Sequence, residues 1–490
     1  MKKKTKKKKS SGKKTTAEAA SPDLEAQIAA EPDAVDPYLV YGDWLQQSGD
    51  PRGELIALQA ARRSASGPEL ARLLVAERAL LDANARRFYG PLTRYRAARQ
   101  SGLEWFCGFV RALDGSAFTG SAEFYHHPSA RFLRRAAPHN HELHLESAPP
   151  LLSHLSTSQH DLGWVWGLSH LRELRVTGYR KAAELGGIRH GGLRLLHIHG
   201  ASEAMLDALA AAELPRLGTL SLAGLRPGHA RRIAAVVERF SALERLTLGL
   251  SRSYDGGTYE DLADVAPRVT TLVLDALDAG SLQSLVGLGF TAATELMIQT
   301  VFDAGVRDVM FDGDHLPDLP ALRAVRLGYP SDLVGYYRGF SRSAIAARVE
   351  ELTVTVGKPG AGRALVEGCF ERLTRLHLGF DPDVGAEYLQ SHQVLGSDAF
   401  PSVTDLRLGL TRHLAPLAGT PLGDRIERLQ LTVDRDRDAR EALAQLGPAR
   451  FPRLRGLVVD GERRLAPELI TGLLSLDLEV EWPEQLAGRV

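Results

Sequence analysis

Eleven of the sixteen histidines fall between His126 and His199, and the densest run is His139-Asn140-His141-Glu142-Leu143-His144. Imidazoles so crowded would suit zinc, which a helix holds through H-E-x-x-H because residues four apart share a face. Here His141 and His144 are three apart beside a strand pattern, so His139 and His141 point one way and His144 the other. No metal site is expected there. Asp434-x-Asp436-x-Asp438 opens like a calcium loop, but Ala439 stands where that loop needs Gly and Gln445 where it needs Glu. Gly357-Lys358-Pro359-Gly360-Ala361-Gly362 lacks the G-x-x-x-x-G-K-[ST] order that cradles phosphate. No G-x-S-x-G elbow occurs. Cys107 and Cys369, the only cysteines, make neither a disulfide framework nor a zinc pair and are read as buried, reduced thiols. The chain is therefore expected to be non-enzymatic, with no cofactor and no metal.

Charge is the second chemical resource. The 490 residues carry 60 Lys+Arg and 60 Asp+Glu, yet nine of the lysines (Lys2, Lys3, Lys4, Lys6, Lys7, Lys8, Lys9, Lys13 and Lys14) lie in the first fourteen residues without an acid among them. The remainder is acidic and takes almost all its positive charge from arginine, because only Lys181 and Lys358 lie outside the tail. That excludes a basic nucleic-acid-binding body. Residues 1–20 are expected to be a disordered basic arm able to contact nucleic acid, a ribosome or an anionic surface. No run approaches the roughly 18 to 20 apolar residues of a spanning helix, and no apolar stretch follows the lysines, so a cytoplasmic chain is expected.

These groups must be positioned by two kinds of element. Ser21-Pro22, Asp36-Pro37 and Asp50-Pro51 each set a side-chain oxygen at a helix N-cap and a proline at the first helical position, where its missing N–H costs nothing. Tyr38, Tyr41, Trp44 and Leu45 occupy the second helix, which Gly49 ends; Leu55, Ile56 and Gln59 occupy the third. Helical patterns continue from Glu69 and after Pro91, giving a small all-α module over 21–98. Residues 31–59 resemble the short repeat-companion domain that precedes leucine-rich repeats in a family of large bacterial proteins; the likeness rests on Tyr41-x-Asp43-Trp44-Leu45 and Gly49-Asp50-Pro51-Arg52-Gly53-Glu54-Leu55-Ile56. The resemblance implies a repeat domain downstream and no biochemical activity. Asp43, Arg52 and Glu54 are read as an ion-pair and capping network around the inter-helix turn.

The repeats are plain. L-x-x-L-x-L, with aliphatic substitutions, has its middle residue at Leu174, Leu196, Leu220, Leu246, Leu272, Leu296, Val325, Leu352, Leu376, Leu406, Leu429, Leu457 and Leu476. Each unit alternates as a short strand does, and segments such as those after Ser202 and from His229 have helical periodicity. A strand and a covering segment at this spacing make an α/β leucine-rich-repeat solenoid, with parallel strands on a concave face and helices or irregular segments on the convex one. Two further strands are expected near Phe109 to Leu113 and Leu143 to Leu145, so about 15 strands fill residues 99–490. One feature of the standard repeat is missing. The chain has only Asn84 and Asn140, so no asparagine ladder can satisfy the turns, and other groups must do so.

Alternation sends the residues between the inward leucines to the concave face. The expected central column is Arg175, His197, Ser221, Thr247, Val273, Met297, Arg326, Thr353, His377, Arg407, Gln430, Val458 and Asp477, with Arg245, Arg375 and Arg428 beside it. Arg375, His377, Arg407 and Arg428 form the expected contact patch. Fifteen strands about 4.8 Å apart span roughly 65 to 70 Å, a surface for a protein or long peptide rather than a metabolite. The expected function is a protein-interaction scaffold of unidentified partner; the alternative is a nucleic-acid- or ribosome-associated protein acting through the lysine arm.

Overall fold

The computed structural model describes residues 21–65, 67–95, 102–114, 122–137, 148–158, 162–177, 188–251, 258–275, 277–300, 310–311, 316–328, 334–356, 360–380, 394–409, 414–432, 436–447, 449–460, 469, 472–473, 475–476 and 478–481. The lysine arm, the His139 to His144 run, Lys181, Lys358 and the strand expected near Leu143 lie outside the described residues.

β1 (Leu103–Phe106) and β2 (Phe109–Asp114) form an antiparallel hairpin. From β2 onward all pairings are parallel and in chain order, through β3 (Arg135–Ala137), β4 (His154–Thr157), β5 (Glu173–Val176), β6 (Leu195–His199), β7 (Thr219–Leu225), β8 (Arg245–Ser251) and β9 (Thr271–Asp275). β10 (Glu295–Thr300), β11 (Ala324–Leu327), β12 (Glu351–Val356), β13 (Arg375–Phe380), β14 (Asp405–Leu408), β15 (Arg428–Thr432), β16 (Gly456–Asp460) and β17 (Glu479–Glu481) complete one sheet, of 17 strands among the described residues. Strand after strand beside its sequence neighbour is the topology of a solenoid. The repeat leucines are buried on one face, where the helices Glu203–Ala210 and Ala230–Arg239 add Met205, Leu206, Leu209, Ile233, Val236 and Val237 to the core. Ser202 starts the first of these helices by accepting a hydrogen bond from the Met205 N–H.

The strand register corrects two expectations. β7 pairs Leu220 and Leu222 with Leu246 and Leu248, but β9 pairs Leu272 and Leu274 with Leu248 and Leu250. The cause is in β8 itself: Leu246, Leu248 and Leu250 are all buried, so this strand offers two equivalent registers and uses one on each side. The sheet steps by two residues there, roughly 7 Å. Gly249 makes the step possible, because a Cβ at that position would come within 2.9 Å of Ala223 Cα on the adjoining strand. At the far end, β17 sets Val480 rather than Leu476 opposite Leu457, and Glu481 rather than Asp477 beside Val458. Buried Leu473 belongs to the covering segment, and half-buried Leu476 and Leu478 lie in the turn before the strand.

The missing asparagine ladder has at least one replacement. Leu225 and Ser251 stand where successive repeats would carry Asn, and the buried Tyr259 hydroxyl reaches both of their carbonyls, Leu225 O at 2.8 Å. One aromatic side chain from the next covering segment thus shares its single O–H between two turns.

The N-terminal helices close the first strand pair. α1 (Pro22–Ala30), α2 (Asp36–Gln47) and α3 (Arg52–Arg62) begin at the three Xaa-Pro signals, and Gly49, at φ +72°, ends α2. Of the three expected caps only Asp50 accepts from the helix backbone, through the Arg52 N–H at 2.9 Å. The pattern from Glu69 is two helices, α4 (Gly67–Ala83) and α5 (Ala85–Tyr89), parted at Asn84. The core runs straight across residue 98. Ile28, Tyr38, Tyr41, Leu45 and Ile56 pack with Cys107, Phe109, Phe132 and Leu151, while Phe88 and Tyr89 meet Trp105 edge-on at 5.8 and 5.7 Å.

At the centre of this junction is a buried polar relay. Cys107 (φ +44°) and Gly108 (φ +79°) form the β1–β2 turn, a pair of left-handed residues suited to a two-residue hairpin. The Gly108 N–H donates to Gln59 Oε1 at 2.8 Å, Gln59 Nε2 donates to Glu77 Oε1 at 2.5 Å, and Arg62 Nη1 pairs with Glu77 Oε2 at 2.7 Å. Gln59 and Glu77 are almost wholly buried. Outside the relay, Arg131 bonds Glu25 and the Tyr41 hydroxyl, and Asp33 holds Arg111 and Arg134.

Candidate interaction surface

The register puts the outward side chains of the sheet into rows. One row runs Ser156, Arg175, His197, Ser221 and Thr247; across the step at β8 it continues as Thr271, Glu295, Ala324, Glu351, Arg375, Asp405, Arg428, Gly456 and Glu479. A second row begins at Gly249 and runs Val273, Met297, Arg326, Thr353, His377, Arg407, Gln430, Val458 and Glu481. The column expected from the sequence is therefore two rows joined wrongly at Thr247 and Val273. Most of these side chains are half-buried, and Arg175, Arg326, Arg375, Arg428 and Glu479 are exposed.

The expected patch is brought together but is not a cationic one. His377 and Arg407 are direct neighbours on β13 and β14, while Arg375 and Arg428 flank Asp405 in the other row. Carboxylates answer the arginines in place: Glu351 bonds Arg375 at 2.9 Å and Glu295 bonds Arg326 at 2.7 Å. Such half-exposed pairs contribute about 0 to 1 kcal/mol each and serve more to fix side-chain geometry than to stabilise the sheet. Burial, and then the guanidinium groups of Arg407 and Arg326, push His377 down to about 4. It is an uncharged imidazole at neutral pH.

Arg175, His197 and Arg245 lie apart from that patch, on β5, β6 and β8. His197 Nδ1 is 2.7 Å from Ser221 Oγ; burial, Arg175 and His199 hold its pKa below the usual value. Arg245 Nε donates to Thr219 Oγ1 at 3.3 Å. Three neighbours of this group, Glu104, Arg135 and His154, were not expected from the sequence. Arg135 pairs with Glu104 from the hairpin, and His154 Nε2 lies 3.4 Å from Glu173 Oε1. Leu152-x-x-Leu155-x-Thr157 carries the repeat shape with Thr in the last place, and Leu133-x-x-Ala136-x-Pro138 has an alanine at the middle and a proline at the end, so one departure concealed β4 and two concealed β3.

In the N-terminal motif, Arg52 is buried and bonds the Asp50 carboxylate through its Nε at 3.0 and 3.1 Å, with its guanidinium carbon 6.0 Å from the Phe109 ring centre. Burial pushes Asp50 up, but the Arg52 hydrogen bonds and charge outweigh it and keep the carboxyl below its ordinary range. Trp44 is half-buried and stacks on Tyr41 at 5.5 Å. Asp43 and Glu54 face solvent, so the expected network reduces to the Asp50–Arg52 pair. Cys107 is buried, its thiol pushed up to about 11 chiefly by that burial, whereas Cys369 is exposed, contrary to expectation, on the segment leading to β13.

Among the described residues no three His, Cys, Asp or Glu side chains are grouped to hold a metal, and no helix is long and apolar enough to cross a membrane. No family model matches the chain, and no curated protein matches it. Among solved structures it is similar to the "Crystal structure of Rad7 and Elc1 complex in yeast", at 13% identity over 90% of this chain and 93% of that chain, with a TM-score of 0.30. A likeness so slight carries no argument; the solenoid rests on the strand register described above.

Proposed function

We propose that the chain is a non-enzymatic scaffold that binds a protein partner across the open face of its sheet. The observation that carries this is the asymmetry of the sheet. One face is sealed by leucines and covering helices, while the other presents two rows of mostly polar and charged side chains, interrupted by small or apolar residues such as Gly249, Val273, Met297 and Ala324, with no element packed over them among the described residues. Solenoids present such extended surfaces to partners. The N-terminal helices, which we assign to the repeat-companion type, close the exposed end of the stack; the bacterial setting implied by that resemblance, and a cytoplasmic location, belong to the same proposal.

Bulky substitutions test it. Thr353→Trp and Gln430→Trp set a large ring on the open face, whereas Arg231→Trp does so on an exposed position of the helix Ala230–Arg239. A partner recovered with the unaltered chain should be lost from the first two variants and kept by the third. Loss confined to Arg231→Trp would place binding on the covering helices and overturn the proposal.

A further inference from the structure

The arginines of the open face differ in how they are satisfied. Arg326, Arg375 and Arg135 each have a carboxylate at contact distance. Arg175 does not: it is exposed, and among the described residues no carboxylate pairs with it. Glu173, two residues earlier and on the same face, contacts His154 instead. Ser156 and His197 flank Arg175 in register on the neighbouring strands, and His197 meets Ser221 through Nδ1, so its Nε2 is the nitrogen not engaged there. Beside this row the sheet is sunken. Ala112 and Ala137 stand where other strands carry longer side chains, and the open cavity of about 480 Å³ beside them is lined by Ser156, His154 and Arg175 together with Arg135 and the carboxylates Glu104, Asp114 and Glu173; His197 stands one strand beyond its edge.

We infer that the Arg175 edge of this depression receives a phosphorylated side chain on an extended segment of the protein partner, the phosphate being held by Arg175 between Ser156, inside the depression, and His197, on the next strand. A guanidinium offers two parallel N–H groups that match two oxygens of an oxyanion. The hydroxyl and imidazole, one strand to either side at about 4.8 Å, are placed to reach a third oxygen, which a tetrahedral phosphate has and a planar carboxylate lacks. The acids on this face do not oppose it at contact. Glu104 is bound to Arg135, and Asp114 stands three strands from Arg175, about 14 Å and beyond a physiological Debye length; Glu173, beside a His154 that burial holds towards its uncharged form, is the nearest acid, about 7 Å along the strand. The inference rests on the scaffold proposal and specifies the partner's chemistry at one end of the same face.

A short alanine peptide carrying one central phosphoserine, its serine counterpart and inorganic phosphate are the probes, titrated into the full chain with histidine-labelled NMR and fluorescence anisotropy as readouts. The phosphoserine peptide should shift the His197 resonance and bind at least about tenfold more tightly than the serine peptide, as a charge-assisted hydrogen bond warrants. Arg175→Gln should remove that preference without changing thermal stability, and Arg326→Gln, whose guanidinium is already tied to Glu295, should leave it intact. Equal binding of the two peptides, an undiminished preference in Arg175→Gln, or binding of inorganic phosphate with no gain from the peptide would each overturn the inference. The Thr353→Trp and Gln430→Trp experiment is independent of this outcome, so loss of the phosphate site and loss of the scaffold proposal are distinguishable.

Discussion

Replacing Gln59 by Leu keeps the bulk at the junction between the N-terminal helices and the first hairpin but removes both polar contacts of the relay. The Gly108 N–H then has no acceptor and Glu77 Oε1 loses a donor, in a site where Gln59 is 3% and Glu77 1% exposed. The unpaired Gly108 N–H costs about 1 to 3 kcal/mol and the lost hydrogen bond to Glu77 about 1 more, so the hairpin should open more easily by about 2 to 4 kcal/mol. In hydrogen exchange that is roughly 30- to 1,000-fold faster labelling of the β1–β2 amides, while strands far along the solenoid, which contact only their neighbours, stay unchanged. Gln59→Glu should do comparable damage by setting one carboxylate against another. Adding Glu77→Gln to it restores the donor and acceptor order in reverse and should recover most of the protection, Arg62 retaining an amide oxygen in place of its ion pair. Unaltered exchange in Gln59→Leu, or a double variant no better than Gln59→Glu, would refute the relay as the clamp that joins helices to sheet.

Tyr259→Phe removes the donor shared by the Leu225 and Ser251 carbonyls and should lower stability by about 1 to 3 kcal/mol, read as a lower thermal midpoint with β7 and β8 labelling first in exchange. Gly249→Val cannot keep its place against Ala223, so the register step at β8 should loosen and exchange should rise there; wild-type protection would show that the step does not need glycine. The His377 resonance should titrate near 4, against an ordinary 6.5, and Arg407→Gln should raise that value. Because the folded value is the lower, protonation favours the unfolded chain: the stabilising contribution is complete above pH 6.5 and is lost as pH falls towards 4, so His377→Gln should flatten the stability profile in that window.

The repeats were legible because a buried strand face admits little but aliphatic residues at every second position. The same rule concealed β8, whose three alternating leucines satisfy the pattern in two registers, so only pairing with β7 and β9 decides between them. Ala136 and Thr157 hid β3 and β4 by being small or polar at places where the template expects an aliphatic residue. On the open face the residue types were readable but their pairing was not. Glu295 with Arg326 and Glu351 with Arg375 lie 31 and 24 residues apart, and it is these contacts that turn a patch rich in arginine into a balanced surface. Gln59 read as an ordinary helical residue, since nothing local announces that a hairpin 49 residues later needs an acceptor.

The central claim is that a protein partner lies along the open face. Amine-reactive crosslinkers are poorly suited to it, because outside the first fourteen residues the only lysines are Lys181 and Lys358. A photoreactive phenylalanine analogue placed singly at Thr353, Gln430, Arg231, Glu238 and Val40, followed by irradiation of the complex, samples the sheet, the covering helix Ala230–Arg239 and α2 in turn. Adducts from Thr353 and Gln430, with none from the other three positions, are the predicted result; adducts only from Arg231, Glu238 or Val40 would contradict it.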